Sequence, residues 1–307
     1  MQKKSNRWFI WVFVVVAVVA LVGFSFGSIF DSLLSSRPSP SPTVPTPGTT
    51  PTPPVVSDIE KKNLQDLENG YLQILEKEPD NPDALRGLAE ARSQMIKIGL
   101  KTEKDLLDPL EKLVELNPEQ TQYQVLLAQT LQKTGKRESA AQTYRSILAT
   151  EPGNMDALQG FVNLLVEQQR PSAATELLQT TLKNAPQANQ VKPNSINESA
   201  VQLLLGQVYA TQRQFDQAVG VYDKLIAKDP NDFRPVFAKA ILLREQGKTK
   251  EADILFNSAE KLAPGQYKDQ IKAAAQKPNA TPETSSSSQS PSASPQPSPS
   301  STPGTPE

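Results

Sequence analysis

The chain has 307 residues, 27 of them proline, and sets 32 Lys+Arg against 33 Asp+Glu; a net charge of −1 gives no electrostatic reason to expect a nucleic-acid partner. It contains no cysteine and no histidine. That excludes disulfides, thiolate nucleophiles and an acylated lipobox, and it removes the usual general base and the commonest transition-metal ligand.

Residues 1–7 carry Lys3, Lys4 and Arg7 and read as a basic cytoplasmic tail. Residues 8–30 follow without a single charge. At ~1.5 Å per residue such a helix spans a ~30 Å hydrocarbon core with some tilt, so the stretch reads as a transmembrane helix. Trp8 and Trp11 sit at one end of it, where amphipathic rings favour the membrane interface. The basic flank places the N-terminus in the cytoplasm and everything after the span on the other side. A cleaved signal peptide is the competing reading, with Ser25-Phe26-Gly27 as a weak small-x-small site, but the apolar run is long for an h-region.

Residues 31–57 and 278–307 are rich in Pro, Ser and Thr and nearly free of large apolar side chains. Such composition cannot bury enough surface to offset ordering entropy, so both are expected to be disordered, the first as an extended linker and the second as a tail. About 220 residues remain for a core, with slightly more acid than base among them. In residues 58–81, Ile59, Leu67, Tyr71, Ile74 and Leu75 recur at helical spacing and predict a lone N-terminal capping helix.

Beyond this point the prolines are periodic. Pro79, Pro118, Pro152, Pro186, Pro230 and Pro264 stand 39, 34, 34, 44 and 34 residues apart. Setting each at column 32 of a repeat gives 82–120 (with five extra residues), 121–154, 155–188, 199–232 and 233–266, with 189–198 as an inserted loop and 267–277 as a C-terminal capping helix. Column 8 is small almost throughout: Ala89, Ala128, Val162, Gly206 and Ala240. So is column 20, with Ala140, Ala174, Ala218 and Ala252 after Leu106, because two helices approach closely there. Column 24 is large: Leu110, Tyr144, Leu178, Tyr222 and Phe256. Gly135 and Gly247 fall where a helix hairpin turns, Asn81-Pro82 reads as a cap followed by a helix start, and Pro109 predicts a kink or a late helix start.

A 34-residue period with these columns resembles the tetratricopeptide repeat (TPR) family. The resemblance implies an all-α fold, a right-handed superhelix (an α-solenoid of helix hairpins) in which each pair buries its apolar face on its neighbours. It also implies a concave groove lined by the first helix of each pair, through columns 2, 5, 9, 12 and 13. Those columns supply the expected groove residues: Arg86, Val125, Gln159, Leu203 and Phe237 at column 5, Glu90, Gln129, Asn163 and Gln207 at column 9, Arg244 at column 12 and Lys133 at column 13. Gln129, Asn163 and Gln207 form a line of amides able to donate to and accept from an extended backbone, and Val125, Leu203 and Phe237 are expected to flank it. The partner is therefore expected to be a protein or peptide. The carboxylate clamp of TPR co-chaperones is not present, since column 6 reads Gly87, Leu126, Gly160, Leu204 and Ala238. No phosphate-cradling glycine loop, nucleophile elbow or metal-ligand cluster is seen, so neither enzyme activity nor a cofactor or metal is expected.

Leu204-Leu205-Gly206-Gln207-Val208-Tyr209, Gln214-Phe215, Asp232-Phe233-Arg234-Pro235 and Pro264-Gly265 resemble, more narrowly, the membrane-anchored cyanobacterial and plastid TPR proteins of the "slow green" type. That resemblance implies a photosynthetic source and a role in assembly or biogenesis of membrane complexes. The expected setting is a single-pass protein of the plasma or thylakoid membrane with its repeats in the periplasm or lumen. The alternative is a structural module that self-associates into a homo-oligomer.

Overall fold

The computed structural model describes residues 57–276. The expected basic tail, transmembrane span 8–30, linker and C-terminal tail lie outside the described residues; among those described, no helix is long and apolar enough to cross a membrane.

Twelve α-helices and one 3-10 turn, with no strand among the described residues, follow one another in hairpins. They are α1 (Asp58–Lys77), α2 (Pro82–Lys97), the 3-10 turn Glu103–Leu106, α3 (Leu107–Leu116), α4 (Thr121–Lys133), α5 (Arg137–Thr150) and α6 (Met155–Glu167). Then come α7 (Pro171–Val191), α8 (Glu198–Thr211), α9 (Phe215–Lys228), α10 (Phe233–Glu245), α11 (Thr249–Leu262) and α12 (Gly265–Gln276). Each helix packs on the next in sequence from α1 to α12, which makes the fold an all-α TPR solenoid.

Local chemistry explains the starts and stops. Four of the five hairpins open on an Asx cap: Asn81, Asn154 and Asn197 accept from the backbone N–H three residues on, at 2.9, 3.0 and 3.0 Å, and Asp232 accepts from Arg234 N at 3.0 Å. The hairpin turns need one left-handed residue each. Gly99, Gly135 and Gly247 supply it at φ of 76°, 82° and 79°, while Gln169 and Arg213 are forced into the same region at 59°.

Pro109 lies in the first turn of α3, after the 3-10 turn. Its missing N–H is one of the helix-start donors that have no partner anyway, so the helix starts late and is not broken. The residues that lengthen this repeat are held by buried charge. Glu68 is 6% exposed and accepts from Arg92 Nε at 2.8 Å, with Lys101 Nζ at 3.0 Å. Arg92 also donates to the Asp105 carbonyl at 2.7 Å, tying the capping helix to the irregular segment.

Pro186 does not end its repeat as its column implied. It lies inside α7, which runs to Val191 and takes in the first residues expected as the loop 189–198. The reason is Asn189. Its side chain accepts from Ile196 N at 2.9 Å and from Ser195 Oγ at 3.2 Å, and donates to Ile196 O at 3.0 Å. This folds the connection back on the helix end, buries Ile196 in the core, and seats Ser195 so closely on Gly153 that a Cβ there would lie 2.0 Å from the Ser195 carbonyl oxygen.

Stacking follows a size rule. The Tyr71 ring occupies the space a Cβ of Gly87 would fill, and the Tyr144 ring does the same at Gly160; both pair column 24 of one unit with column 6 of the next. Where column 24 is leucine, column 6 of the next repeat is leucine too: Leu110 with Leu126, and Leu178 with Leu204, each pair inside one continuous core.

Candidate ligand-binding face

Neighbouring first helices touch one another, α4 with α6, α6 with α8 and α8 with α10, while second helices make their main contacts with first helices. The first helices therefore line the inside of the curve. Gln129 on α4 and Asn163 on α6 are half-buried on that layer, and Gln207 on α8 is buried.

The remaining expected groove residues divide. Arg86 is half-exposed and pairs with Asp83 at 2.6 Å within its own helix. Glu90 and Gln159 are half-buried, and Lys133 is exposed at the end of α4. Val125, Leu203 and Phe237 do not flank a groove, because all three are buried. Column 5 is packed into the core: Leu203 shares a cluster with Tyr222, Ala238 and Leu242, and Phe237 meets Phe256 of its own hairpin edge-on at 5.8 Å and 70°. Arg244 is also withdrawn from the face. Its Nη1 donates to the carbonyls of Ala274 (2.7 Å) and Ala275, its Nη2 to Asp253 at 2.6 Å, and its guanidinium stacks 4.2 Å from the Phe256 ring centroid. It holds the last turn of α12 by pairing a cation with helix-end carbonyls.

A concave feature stands on this face. Between α8, α9 and α10 a shallow notch of about 20 Å³, room for about one water molecule, is walled by Ala210, Ala238, Ile241 and Leu242. Tyr222, Gln207 and Glu245 complete its lining. Gln207 is 4% exposed and its amide nitrogen has no hydrogen-bond acceptor. Glu245 keeps an exposed surface, yet the low-polarity surroundings of its carboxyl push its pKa up to about 7 by desolvation. Burial, then the negative charge of Glu245, pushes the Tyr222 phenol well above its ordinary value. Sequence columns located Gln207 but missed Glu245 and Tyr222 as its companions. Glu245 stands at column 13, one of the inward columns, and Tyr222 at column 24 reads as pure packing.

Family models described as tetratricopeptide repeat match residues 131–193 and 203–267. Among curated proteins, the chain is similar to protein SLOW GREEN 1, chloroplastic, of Arabidopsis thaliana, at 28% identity over 210 residues, covering 68% of this chain and 63% of that protein. It is similar to cellulose synthase operon protein C of Pseudomonas fluorescens at 27% identity over 165 residues, covering 53% of this chain and only 12% of that one. Among solved structures, yeast Tom70 aligns with a TM-score of 0.48 at 15% identity, over 68% of this chain and 42% of Tom70. YrrB, described as a TPR protein with an unusual peptide-binding site, aligns with a TM-score of 0.36 at 14% identity, over 66% of this chain and 97% of YrrB.

Proposed function

Starting from a chain that carries tetratricopeptide repeats over residues 131–193 and 203–267, we propose a membrane-anchored scaffold that holds an extended polypeptide segment along its inner face and serves the assembly or biogenesis of membrane complexes. The observation that carries this reading is the row of amides Gln129, Asn163 and Gln207, one on each of three touching first helices of the inner layer. Amides on successive repeats repeat a donor and an acceptor along the face, which suits the repeating amide units of an extended chain. The anchor is residues 8–30, with the N-terminus cytoplasmic and the repeats periplasmic or lumenal. The assembly role draws on the similarity to SLOW GREEN 1, whose length this chain covers only in part.

Crosslinking in intact membranes, followed by identification of the captured proteins, tests the scaffold reading. The double variant Gln129→Ala/Asn163→Ala changes only half-buried positions and should fold, yet lose most of the capture. Unchanged capture would remove the groove from consideration. Protease access to the C-terminal tail in sealed vesicles tests the topology.

Self-association is a second reading with an observation of its own. On α1, Ile59, Leu67, Leu72 and Ile74 are exposed, Ile59 at 74%, in a helix that has a neighbour on one side only among the described residues. Light scattering of the full chain in detergent separates the two, since a stable dimer that captures no other protein favours self-association.

A further inference from the structure

The two ends of the solenoid differ. α12 closes the C-terminal end with a polar outer face, on which Gln266, Asp269, Gln270 and Lys272 are exposed. At the other end α1 stands in the place of a second helix. α3, α5, α7, α9 and α11 each lie between two helices, whereas α1 packs on α2 and has no first helix of its own hairpin among the described residues. The place beside it is shaped for an antiparallel helix.

Four of the eight large hydrophobic side chains exposed among the described residues are on α1, and no other helix exposes more than two. At about 100° per residue, Ile59, Leu67 and Ile74 fall within an arc of about 80°, and Leu72 falls outside it. Asn63 and Gly70, both exposed, share that arc. Nothing lies within 4 Å of a Cβ built on Gly70, so no contact among the described residues requires glycine there, although glycine weakens a helix interior. The stripe Ile59, Asn63, Leu67, Gly70, Ile74 matches itself when reversed about a point between residues 66 and 67. Ile59 then faces Ile74, and Asn63 faces Gly70.

Other occupants fit less well. Eight prolines in residues 38–54 keep the preceding stretch from forming a helix. Five acidic against three basic residues on α1 disfavour an anionic lipid surface. The outer face of α12 has no apolar stripe to offer from another copy, which excludes head-to-tail stacking and leaves a symmetric contact.

We propose that α1 pairs with α1 of a second copy, antiparallel and about a two-fold axis between residues 66 and 67. Ile59 of one copy meets the partner's Ile74 at each end, and the two Leu67 side chains meet at the axis. Each Asn63 lies over the partner's Gly70, where the missing side chain leaves room for it. Lys62 and Asp66, paired at 2.6 Å, keep the flank beside the axis neutral. A seam ~30 Å long and ~10 Å wide covers on the order of 300 Å² per copy, less than the roughly 800 Å² of a standard interface. Anchors held in one bilayer supply the rest by raising the local concentration. The proposal deepens the self-association reading by naming its surface and symmetry, and it leaves the inner face free to hold a polypeptide.

The chain has no cysteine, so single introduced cysteines report contacts without background. The test treats the full chain in intact membranes with a short bismaleimide. Leu67→Cys should give a product of twice the mass. Ile59→Cys alone, whose two copies stand about 22 Å apart along the helix axes, should give at least tenfold less. Co-expressed Ile59→Cys and Ile74→Cys should give the product again. These variants alter exposed side chains, and unchanged circular dichroism checks that they fold. Adding Ile59→Glu and Ile74→Glu to Leu67→Cys should cut the product at least tenfold. No product from Leu67→Cys, an equal product from Ile59→Cys alone, or a product of another protein's mass overturns the pairing. A stable dimer in light scattering that gives no Leu67→Cys product leaves self-association standing and removes this seam.

Discussion

Glycine 160 and glycine 220 both lie inside helices, and alanine should move the protein in opposite directions at the two sites. In a helix interior, replacing Gly with Ala is worth about 0.5–1 kcal/mol through backbone entropy alone. At Gly220 nothing lies within 4 Å of the new Cβ, so the full gain should appear. At Gly160 the new Cβ would sit 2.4 Å from Tyr144 Oη and 2.5 and 2.6 Å from two ring carbons, closer than any real contact. The Tyr144 ring cannot yield easily, because it is fully buried and stacked at 6.1 Å on Phe161. Overpacking of this kind costs about 1–3 kcal/mol, so the net effect is a loss of roughly 0.5–2 kcal/mol. For a folded region of this size that is a drop in Tm of a few degrees, about 2–4 °C per kcal/mol. Urea and thermal unfolding of the full chain, followed by far-UV circular dichroism, measure both variants. Gly160→Leu combined with Tyr144→Leu recreates the Leu110/Leu126 arrangement and should be more stable than the sum of the two single losses by about 0.5–3 kcal/mol. If Gly160→Ala stabilises as much as Gly220→Ala does, the size rule for stacking is wrong.

Four further outcomes follow from the same structure. Glu68→Ala strands Arg92 and Lys101 and should cost roughly 2–4 kcal/mol, near the lower end for breaking a buried pair because Lys101 reaches solvent. Burial pushes the Glu68 carboxyl up, but hydrogen bonds from Arg92 and Lys101 outweigh it and hold it below its usual 4.5; its stabilisation is thus complete above that pH and is lost as pH falls through the lowered value, a component that acid titration of Glu68→Ala should lack. Arg244→Met removes the charged hydrogen bonds on the end of α12 and should expose that helix to Lys-C cleavage at Lys268 and Lys272, and Arg244→Lys should not restore protection, because an ammonium lacks the planar fork. Gln169→Gly relieves a left-handed backbone at φ 59° and should raise stability by about 1 kcal/mol in urea unfolding. Gln207→Leu replaces a buried amide whose nitrogen has no acceptor among the described residues with an apolar group of similar size, so it should hold or raise Tm; a Tm loss of several degrees would mean that the amide is satisfied.

The solenoid was legible because periodicity is redundant: small residues at columns 8 and 20 and large ones at column 24 repeat the same instruction. Single residues misled where a non-local contact intervened. Pro186 has the spacing of a turn, but the Asn189 bonds to Ser195 and Ile196, invisible to any periodic reading, carry the helix past it. Arg244 has the column of a groove residue, yet the carbonyls it caps lie on a helix some thirty residues later in the chain. Val125, Leu203 and Phe237 occupy an inward column too, and how far the stacked hairpins close over that column depends on the curvature of the whole array.

The location of the notch follows from the stacking rule itself. Tyr71 and Tyr144 each meet a glycine in the next repeat, and where that column is leucine the next repeat carries leucine in the same core. Tyr222 meets Ala238 there instead, whose methyl group occupies space the ring takes at the other junctions. The ring packs on Gly206 of its own repeat, where a Cβ would lie 2.5 Å from it. The ring at this junction is therefore seated within its own hairpin, and the notch lies beside it.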